Sequence, residues 1–365
     1  MSNWKKVKLS EIMSPCSDSE YIIDVQNEHY ITLSLYGKGA HERQIKDGKY
    51  PVPFLGYRVR SGQFIYSRID ARNGAYDIIG QELDGFVVSK DFPVYDIDTE
   101  IVLPRYLLRS VLSTGFINQV KHSSFGATNR MRIKEDVFAN YSIMLPPKDQ
   151  QQTIVAILDQ VSAIIENRQQ QLSTLDDLIK ARFVEMFGDC RINPKAWNTV
   201  ELGEISDVGS SKRVFVEELR ETGIPFYRGT EVGALAEGKA ITPELFITRE
   251  HYEELIEATG TPLVGDLLMP SICPDGRIWV VDTEEPFYFK DGRVLWVHSI
   301  SKEFDPVFLL YTLKDRIMTD YSSIASGTTF AELKIFALKQ CRVFAVPMDL
   351  QKQFVSFVKQ IDKSK

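Results

Sequence analysis

Small hydroxyl and amide side chains gathered around paired arginines are the groups that hydrogen-bond phosphate oxygens and base edges. Residues 122–132, reading His122-Ser123-Ser124-Phe125-Gly126-Ala127-Thr128-Asn129-Arg130-Met131-Arg132, place His122, Thr128, Asn129, Arg130 and Arg132 in one glycine-containing stretch. Thr328 and Thr329 occupy a corresponding Ser326-Gly327-Thr328-Thr329, which suits a framework turn as well as a contact loop. Arg68, Arg72 and Asn73 form a second cluster, but Asp70 lies between them and an internal salt bridge competes with any external anion. Lys38, His41, Arg43, Lys46 and Lys49 give a glycine-containing stretch a basic bias that fits phosphate contact or plain solvation. Ser210-Ser211-Lys212-Arg213 and Tyr227-Arg228-Gly229-Thr230 are comparable, so Lys212, Arg213 and Arg228 join the candidates.

Groups able to break a bond are scarce. Glu332-x-Lys334, downstream of Asp266 and Asp275, has the acid and lysine types that could hold Mg²⁺ and activate water. Such triplets arise often by chance, and the aligned residues earlier in the chain, Arg132-Ile133-Lys134, contain no acid. No Gly-x-x-x-x-Gly-Lys-Ser/Thr loop, no Gly-x-Gly-x-x-Gly after a strand and no Asn/Asp-Pro-Pro-Tyr/Phe element occurs. His29, His41, His122, His251 and His298 are dispersed without triad-like company. Cys16, Cys190, Cys273 and Cys341 stand singly, without zinc-ligand spacing, so they read as reduced packing residues. The expectation is a chain with no catalytic residue, no metal site and no cofactor of its own.

These side chains need elements to hold them, and the elements come twice. Trp4-Lys5-Lys6-Val7-Lys8-Leu9-Ser10-Glu11-Ile12 returns as Trp197-Asn198-Thr199-Val200-Glu201-Leu202-Gly203-Glu204-Ile205. Gly62-Gln63-Phe64-Ile65-Tyr66 is matched by Gly265-Asp266-Leu267-Leu268-Met269, and Pro104-Arg105-Tyr106-Leu107-Leu108 by Pro306-Val307-Phe308-Leu309-Leu310. Leu145-Pro146-Pro147-Lys148-Asp149-Gln150-Gln151-Gln152 is matched by Val346-Pro347-Met348-Asp349-Leu350-Gln351-Lys352-Gln353. Two copies keep buried framework positions alike and let surface loops diverge. Within each copy, short strands are expected at residues 30–35, 58–66, 85–88, 277–281 and 294–298, with one short helix at 104–114 and at 306–319. Each half is therefore an α+β domain.

Between the halves the period changes. Ile154, Leu158, Val161, Ile165, Leu172, Leu175 and Ile179 fall at heptad spacing, and residues 148–187 contain neither Gly nor Pro. Gly188-Asp189 then supplies a stop. Such a helix is a rod of roughly 60 Å at 1.5 Å rise per residue. Its apolar stripe needs a cover, and residues 349–365, with Phe354, Val355, Val358 and Ile361, are the candidate within the chain, though too few to cover it all. A dimerising coiled coil competes with a spacer; the flanking repeat favours the spacer. The divisions are residues 1–147 for a first domain, 148–188 for the central helix, 189–347 for a second domain and 348–365 for a shortened second helix.

This arrangement resembles the specificity subunit of type I restriction-modification systems, in which two target-recognition domains alternate with two helical regions. The resemblance is carried by Gly62 to Ala75, by Leu83-Asp84-Gly85-Phe86-Val87-Val88-Ser89-Lys90-Asp91-Phe92-Pro93-Val94, and by the Pro-Pro-x-x-x-Gln pattern from Pro146 to Gln151. It implies double-stranded DNA read as a bipartite site, one half per domain, with the helices setting the gap. It also implies two methyltransferase (modification) subunits and a motor-nuclease restriction subunit as partners, with S-adenosylmethionine, ATP and Mg belonging to those partners. A rod of roughly 60 Å corresponds to somewhat under two turns of B-DNA at roughly 34 Å each.

Charge sets a condition on that reading. The chain carries a net charge of -7, where a nucleic-acid-binding domain is usually basic. Residues 1–147 hold 18 Lys+Arg against 17 Asp+Glu, and residues 148–365 hold 25 against 33. DNA can be held only where cations cluster on one face or a partner adds positive surface. No apolar run approaches the roughly 20 residues of a membrane span, and the start lacks a signal-peptide h-region, so a cytoplasmic location is expected. The competing readings are a single-chain Mg-dependent nuclease and a coiled-coil scaffold that binds protein.

Overall fold

The computed structural model describes residues 4–123, 132–327 and 331–365, which fall into two compact units, residues 1–167 and 168–365. The first is built on a four-stranded antiparallel sheet in the order Met13–Pro15, Val94–Ile97, Phe64–Tyr66, Tyr76–Ile78. The second repeats it as Asp207–Gly209, Val294–His298, Leu267–Pro270, Trp279–Val280. Beside each sheet, the start of the repeat pairs with the strand that leads into the following helix: Lys5–Lys8 with Ser142–Leu145, and Asn198–Glu201 with Arg342–Ala345.

The third strand of each sheet is an unbroken apolar run because both its faces are covered: Phe64, Ile65, Tyr66 and Leu267, Leu268, Met269 are all fully buried. Gly62 and Gly265 precede these strands at φ 89° and 96°, a left-handed turn that a side chain would strain. Their N–H groups donate to Ile79 O (2.8 Å) and Val281 O (2.9 Å). That turn splits the strand expected over residues 58–66 into Phe54–Arg58 and Phe64–Tyr66.

A second shared device is a buried glutamine at the head of each helix. Gln151 Oε1 accepts from Leu103 N–H (2.8 Å), while its Nε2 donates to Ile101 O (3.2 Å) and Pro146 O (2.9 Å). Gln351 repeats all three bonds with Asp305 N–H, Glu303 O and Val346 O. Backbone groups that would otherwise be buried without partners are thereby satisfied in both halves.

Around this shared frame the halves differ. The first adds the sheet Ser19–Ile22, Phe54–Arg58, Val87–Ser89 and the hairpin Ile31–Ser34 with Gly39–Glu42. The second adds the helices Gly229–Ala236 and Arg249–Thr259. The single short helix expected in each half is corrected. At that place the first half has two, Pro104–Val111 and Thr114–Ser123, because Ser113 Oγ accepts from Phe116 N–H (3.4 Å) and begins a new helix, and a further short helix, Glu135–Ala139, follows. At the matching place the second half has a single longer helix of 19 residues, Pro306–Ile324, opened by Asp305 Oδ1 on Val307 N–H.

The central helix runs Lys148–Phe187 and stops where Gly188, at φ 88°, donates its N–H to Val184 O. Ile154 packs on the first unit's core. Ile179, Phe183 and Phe187 are buried with Phe354, Val355 and Val358 of the helix Met348–Asp362. Leu175 is half-buried, whereas Leu158, Val161, Ile165 and Leu172 stay exposed. A cover of 15 residues spans only about 22 Å. Among the described residues no helix is long and apolar enough to cross a membrane.

Candidate nucleic-acid interface

At one end of each central sheet three chain segments meet through backbone bonds. In the first half Arg68 N–H donates to Asp91 O (2.9 Å) and Ile133 N–H donates to Arg68 O (3.0 Å). In the second half Ser271 N–H donates to Arg293 O (2.9 Å) and Leu333 N–H donates to Ser271 O (2.8 Å). Side chains pair across both junctions, with opposite polarity: Arg132 to Asp91 at 3.1 Å in the first, Arg293 to Glu332 in the second.

Beside the second junction lies a cleft of about 390 Å³, lined among others by Arg228, Arg277, Lys290, Arg293, Thr230 and Ser271. Several elements deliver these groups. Arg228 precedes the helix Gly229–Ala236, Arg277 precedes the strand Trp279–Val280, and Lys290 and Arg293 flank a turn at Gly292 (φ 63°) before the strand Val294–His298. Gly233 leaves room for the guanidinium of Arg277, since a Cβ there would lie 2.8 Å from Nη1.

Carboxylates aim most of the cations. Arg228 binds Glu231 (2.6 Å) and Glu244 (3.1 Å), and Arg277 binds Asp275 (2.9 Å). Burial works to raise the Glu231 carboxyl, but bonds from Arg228 and Thr230 outweigh it and hold the group down at about 2. Lys290 is half-buried, and among the described residues no carboxylate pairs with it. A cleft of this make-up can take an anionic oxygen, and its forked donors suit phosphate or a guanine edge.

Ser210-Ser211-Lys212-Arg213 runs along the same turn, yet its hydroxyls are committed inward. Ser210 Oγ donates to Val294 O (2.7 Å) and accepts from Gly292 N–H (2.9 Å), and Ser211 Oγ donates to Phe289 O (2.6 Å). Lys212 is exposed, and Arg213 pairs with Asp291 at 3.3 Å. Arg213 and Arg228 are thus gathered around the cleft's turn.

In the first half Arg68 and Arg132 share the junction, with Arg68 held by Glu135 at 3.3 Å rather than by the expected Asp70. Arg68 Nε is buried without a hydrogen-bond partner. Arg72 lies on a short turn, Ala71–Asn73, that is bonded to the hairpin tip through Tyr36 N–H to Asn73 O (2.7 Å) and Gly37 N–H to Gly74 O (3.0 Å). Lys38, exposed on that tip, is therefore next to the turn that carries Arg72, while Arg43 is exposed at the hairpin's far end. His122 is exposed at the end of the helix Thr114–Ser123. Thr128, Asn129, Arg130, Thr328 and Thr329 lie outside the described residues.

Arg277, Lys290 and Arg293 were not anticipated, because Arg277 lies in a separate turn from Lys290 and Arg293 and only the fold brings the three together. Lys290-Asp291-Gly292-Arg293, a glycine turn bracketed by cations, carried the signal. The acids of the nuclease reading have structural partners: Glu332 holds Arg293 and Lys334, Asp275 holds Arg277, and Asp266 accepts from Leu263 N–H and Trp296 Nε1 at 2.9 Å. Among the described residues no group of three or more His, Cys, Asp or Glu is placed to share a metal ion.

Known proteins share this frame. A type I restriction enzyme HindI specificity subunit from Haemophilus influenzae is 30% identical over 194 residues, 52% of this chain and 42% of its own. A type I restriction enzyme MjaVIII specificity subunit from Methanocaldococcus jannaschii is 24% identical over 249 residues, 63% of this chain and 57% of its own. The chain spans about half the length of these curated relatives. Among solved structures, a type I restriction-modification system S subunit from M. genitalium matches with a TM-score of 0.55 at 14% identity, over 100% of this chain and 90% of that one. A chain from a study of complex assembly and conformational transition of the type I R-M system gives 0.52 at 19% identity, over 99% and 90%; at such identities the likeness concerns the fold. The model of the type I restriction modification DNA specificity domain matches residues 1–176 and again residues 194–365, once for each copy of the repeat, and the chain belongs to that family.

Proposed function

We propose that this chain reads DNA sequence for a type I restriction-modification complex and performs no chemistry itself. Each half reads one part of a bipartite duplex site, and the helix Lys148–Phe187 sets the gap between them. The observation that carries the reading is the repeated sheet frame, with arginines collected at the same end of both sheets despite the chain's net charge of -7. Two methyltransferase subunits that modify adenine dock on the helical region, where Leu158, Val161, Ile165 and Leu172 are exposed. A motor-nuclease subunit joins them to restrict unmodified DNA. S-adenosylmethionine, ATP and Mg²⁺ belong to those partners, and the complex works in the cytoplasm.

The test is to co-express the chain with a cognate methyltransferase subunit and sequence host DNA for modified adenine. The expected result is a two-part motif with a fixed gap, in which exchanging residues 1–145 for those of a relative replaces one half-site and exchanging residues 197–345 replaces the other. A stable complex that methylates without such a motif would leave the chain a protein scaffold.

A further inference from the structure

The ion pair at the sheet end is kept in both halves with its sign reversed. Position by position, Asp91 corresponds to Arg293 and Arg132 to Glu332, because Arg68 and Ser271 make the same two backbone bonds to the segments that carry them. An exposed ion pair adds little to stability, so the fold alone gives no reason to retain one here twice. A carboxylate within hydrogen-bond reach does fix the plane and direction of a guanidinium. That is what forked recognition of a base edge requires. What the reversal changes is the segment that presents the fork: the one leading into Ile133, at Arg132, in the first half, and the Gly292 turn, at Arg293, in the second.

We propose that Arg132 and Arg293 are specificity-determining residues, each reading a base of its half-site and each aimed by its acid, Asp91 or Glu332. The inference rests on the recognition reading above and names the groups that do the reading. Asp91 and Glu332 act as positioning residues. The reversed polarity would let two nearly identical frames approach the duplex with the reading arginine in different places, and so choose different bases.

The double reversal Arg293→Glu with Glu332→Arg keeps an ion pair while moving the fork to the other segment. In the full chain with its methyltransferase subunit, mapped by modified adenine, the first half-site and the gap should keep their bases. Methylation at the original second half-site should fall about ten-fold or more, with other bases admitted there. Arg293→Lys, which keeps the charge without the fork, should give a smaller loss, with base choice relaxed in the second half-site alone, and Arg132→Glu with Asp91→Arg should alter base choice in the first half-site alone. An unchanged second half-site in the double reversal overturns the proposal. So does a uniform fall in methylation with the same bases, the mark of a phosphate contact, and so does an Arg293→Lys change of base choice that extends to the first half-site, the mark of a structural role. A wild-type chain without any two-part motif removes the recognition reading itself, and the proposal with it.

Discussion

At matching positions of the two central sheets, the first half carries Phe64, Tyr66, Tyr76, Tyr95 and Phe138 where the second carries Leu267, Met269, Ile278, Val297 and Leu338, all of them buried. The first core is a stack of rings: Tyr66 lies on Phe138 at 4.0 Å, and Phe64 on Tyr76 at 6.3 Å. The second core is aliphatic, and the helix Pro306–Ile324 contributes Leu309, Leu313 and Ile317 to it. Around these different fillings the backbone bonds at Gly62 and Gly265, and the three bonds of each buried glutamine, are the same. Apolar volume can be redistributed among neighbours at modest cost. A buried donor or acceptor without a partner cannot be compensated that way, so the polar frame persists where the apolar filling has drifted.

Truncating the cores gives the largest effect. Phe138→Ala should destabilise the first unit by about 3–5 kcal/mol, with about 0.5–1.5 kcal/mol more from the lost ring contacts. Leu338→Ala at the equivalent site should cost about 2–5 kcal/mol. Hydrogen exchange followed by mass spectrometry resolves the units separately, which a single melting curve does not. A Leu338→Ala loss exceeding that of Phe138→Ala would contradict the view that rings carry more of the first core.

The glutamines should behave in the opposite way, alike in both halves. Gln351→Leu leaves Asp305 N–H, Glu303 O and Val346 O without their partner, and Gln151→Leu does the same to Leu103, Ile101 and Pro146. At about 1 kcal/mol or more for each such group, a loss of about 3 kcal/mol is expected in each unit, matched within about 1 kcal/mol. Unequal losses would mean that the two helices are anchored by different means.

The repeat and its register were legible in the sequence because framework positions recur in order, and the bounds of the long helix because Gly and Pro are absent until Gly188. Periodicity marked the apolar seam but could not say what covers it: Ile154 packs on the first core and Ile179 against the helix Met348–Asp362, while Leu158, Val161, Ile165 and Leu172 stay exposed. The arginines of the cleft were less legible. Arg277 and Arg293 come from separate turns that only the fold brings together, and composition does not distinguish a serine that faces a ligand from Ser210 and Ser211, which bond backbone carbonyls. The glutamine looked like one polar residue among several at the helix start, since two of its three bonds reach residues about fifty positions away.

A charge present on one side of the comparison provides the smallest test. Glu231, at the start of a helix that belongs to the second half's own additions, has an ordinary value of 4.5 and is held at about 2 in the fold. Below the unfolded value the unfolded chain takes up a proton that the folded chain refuses. The bonds to Arg228 and Thr230 therefore stabilise the second unit fully above about pH 5, and that contribution fades as pH falls towards 2. With Arg228 39% exposed and the pair screened by solvent, the effect should be on the order of 1 kcal/mol. Glu231→Gln should lower the stability of residues 224–236 by that amount at pH 7, and the gap between variant and wild type should narrow steadily as pH falls from 5 to 3, measured by urea-dependent hydrogen exchange. The first unit should show no difference between the two proteins at any of these pH values. A gap that stays constant with pH would mean that the Glu231 carboxylate does not titrate in that window and that packing, rather than charge, sets its contribution.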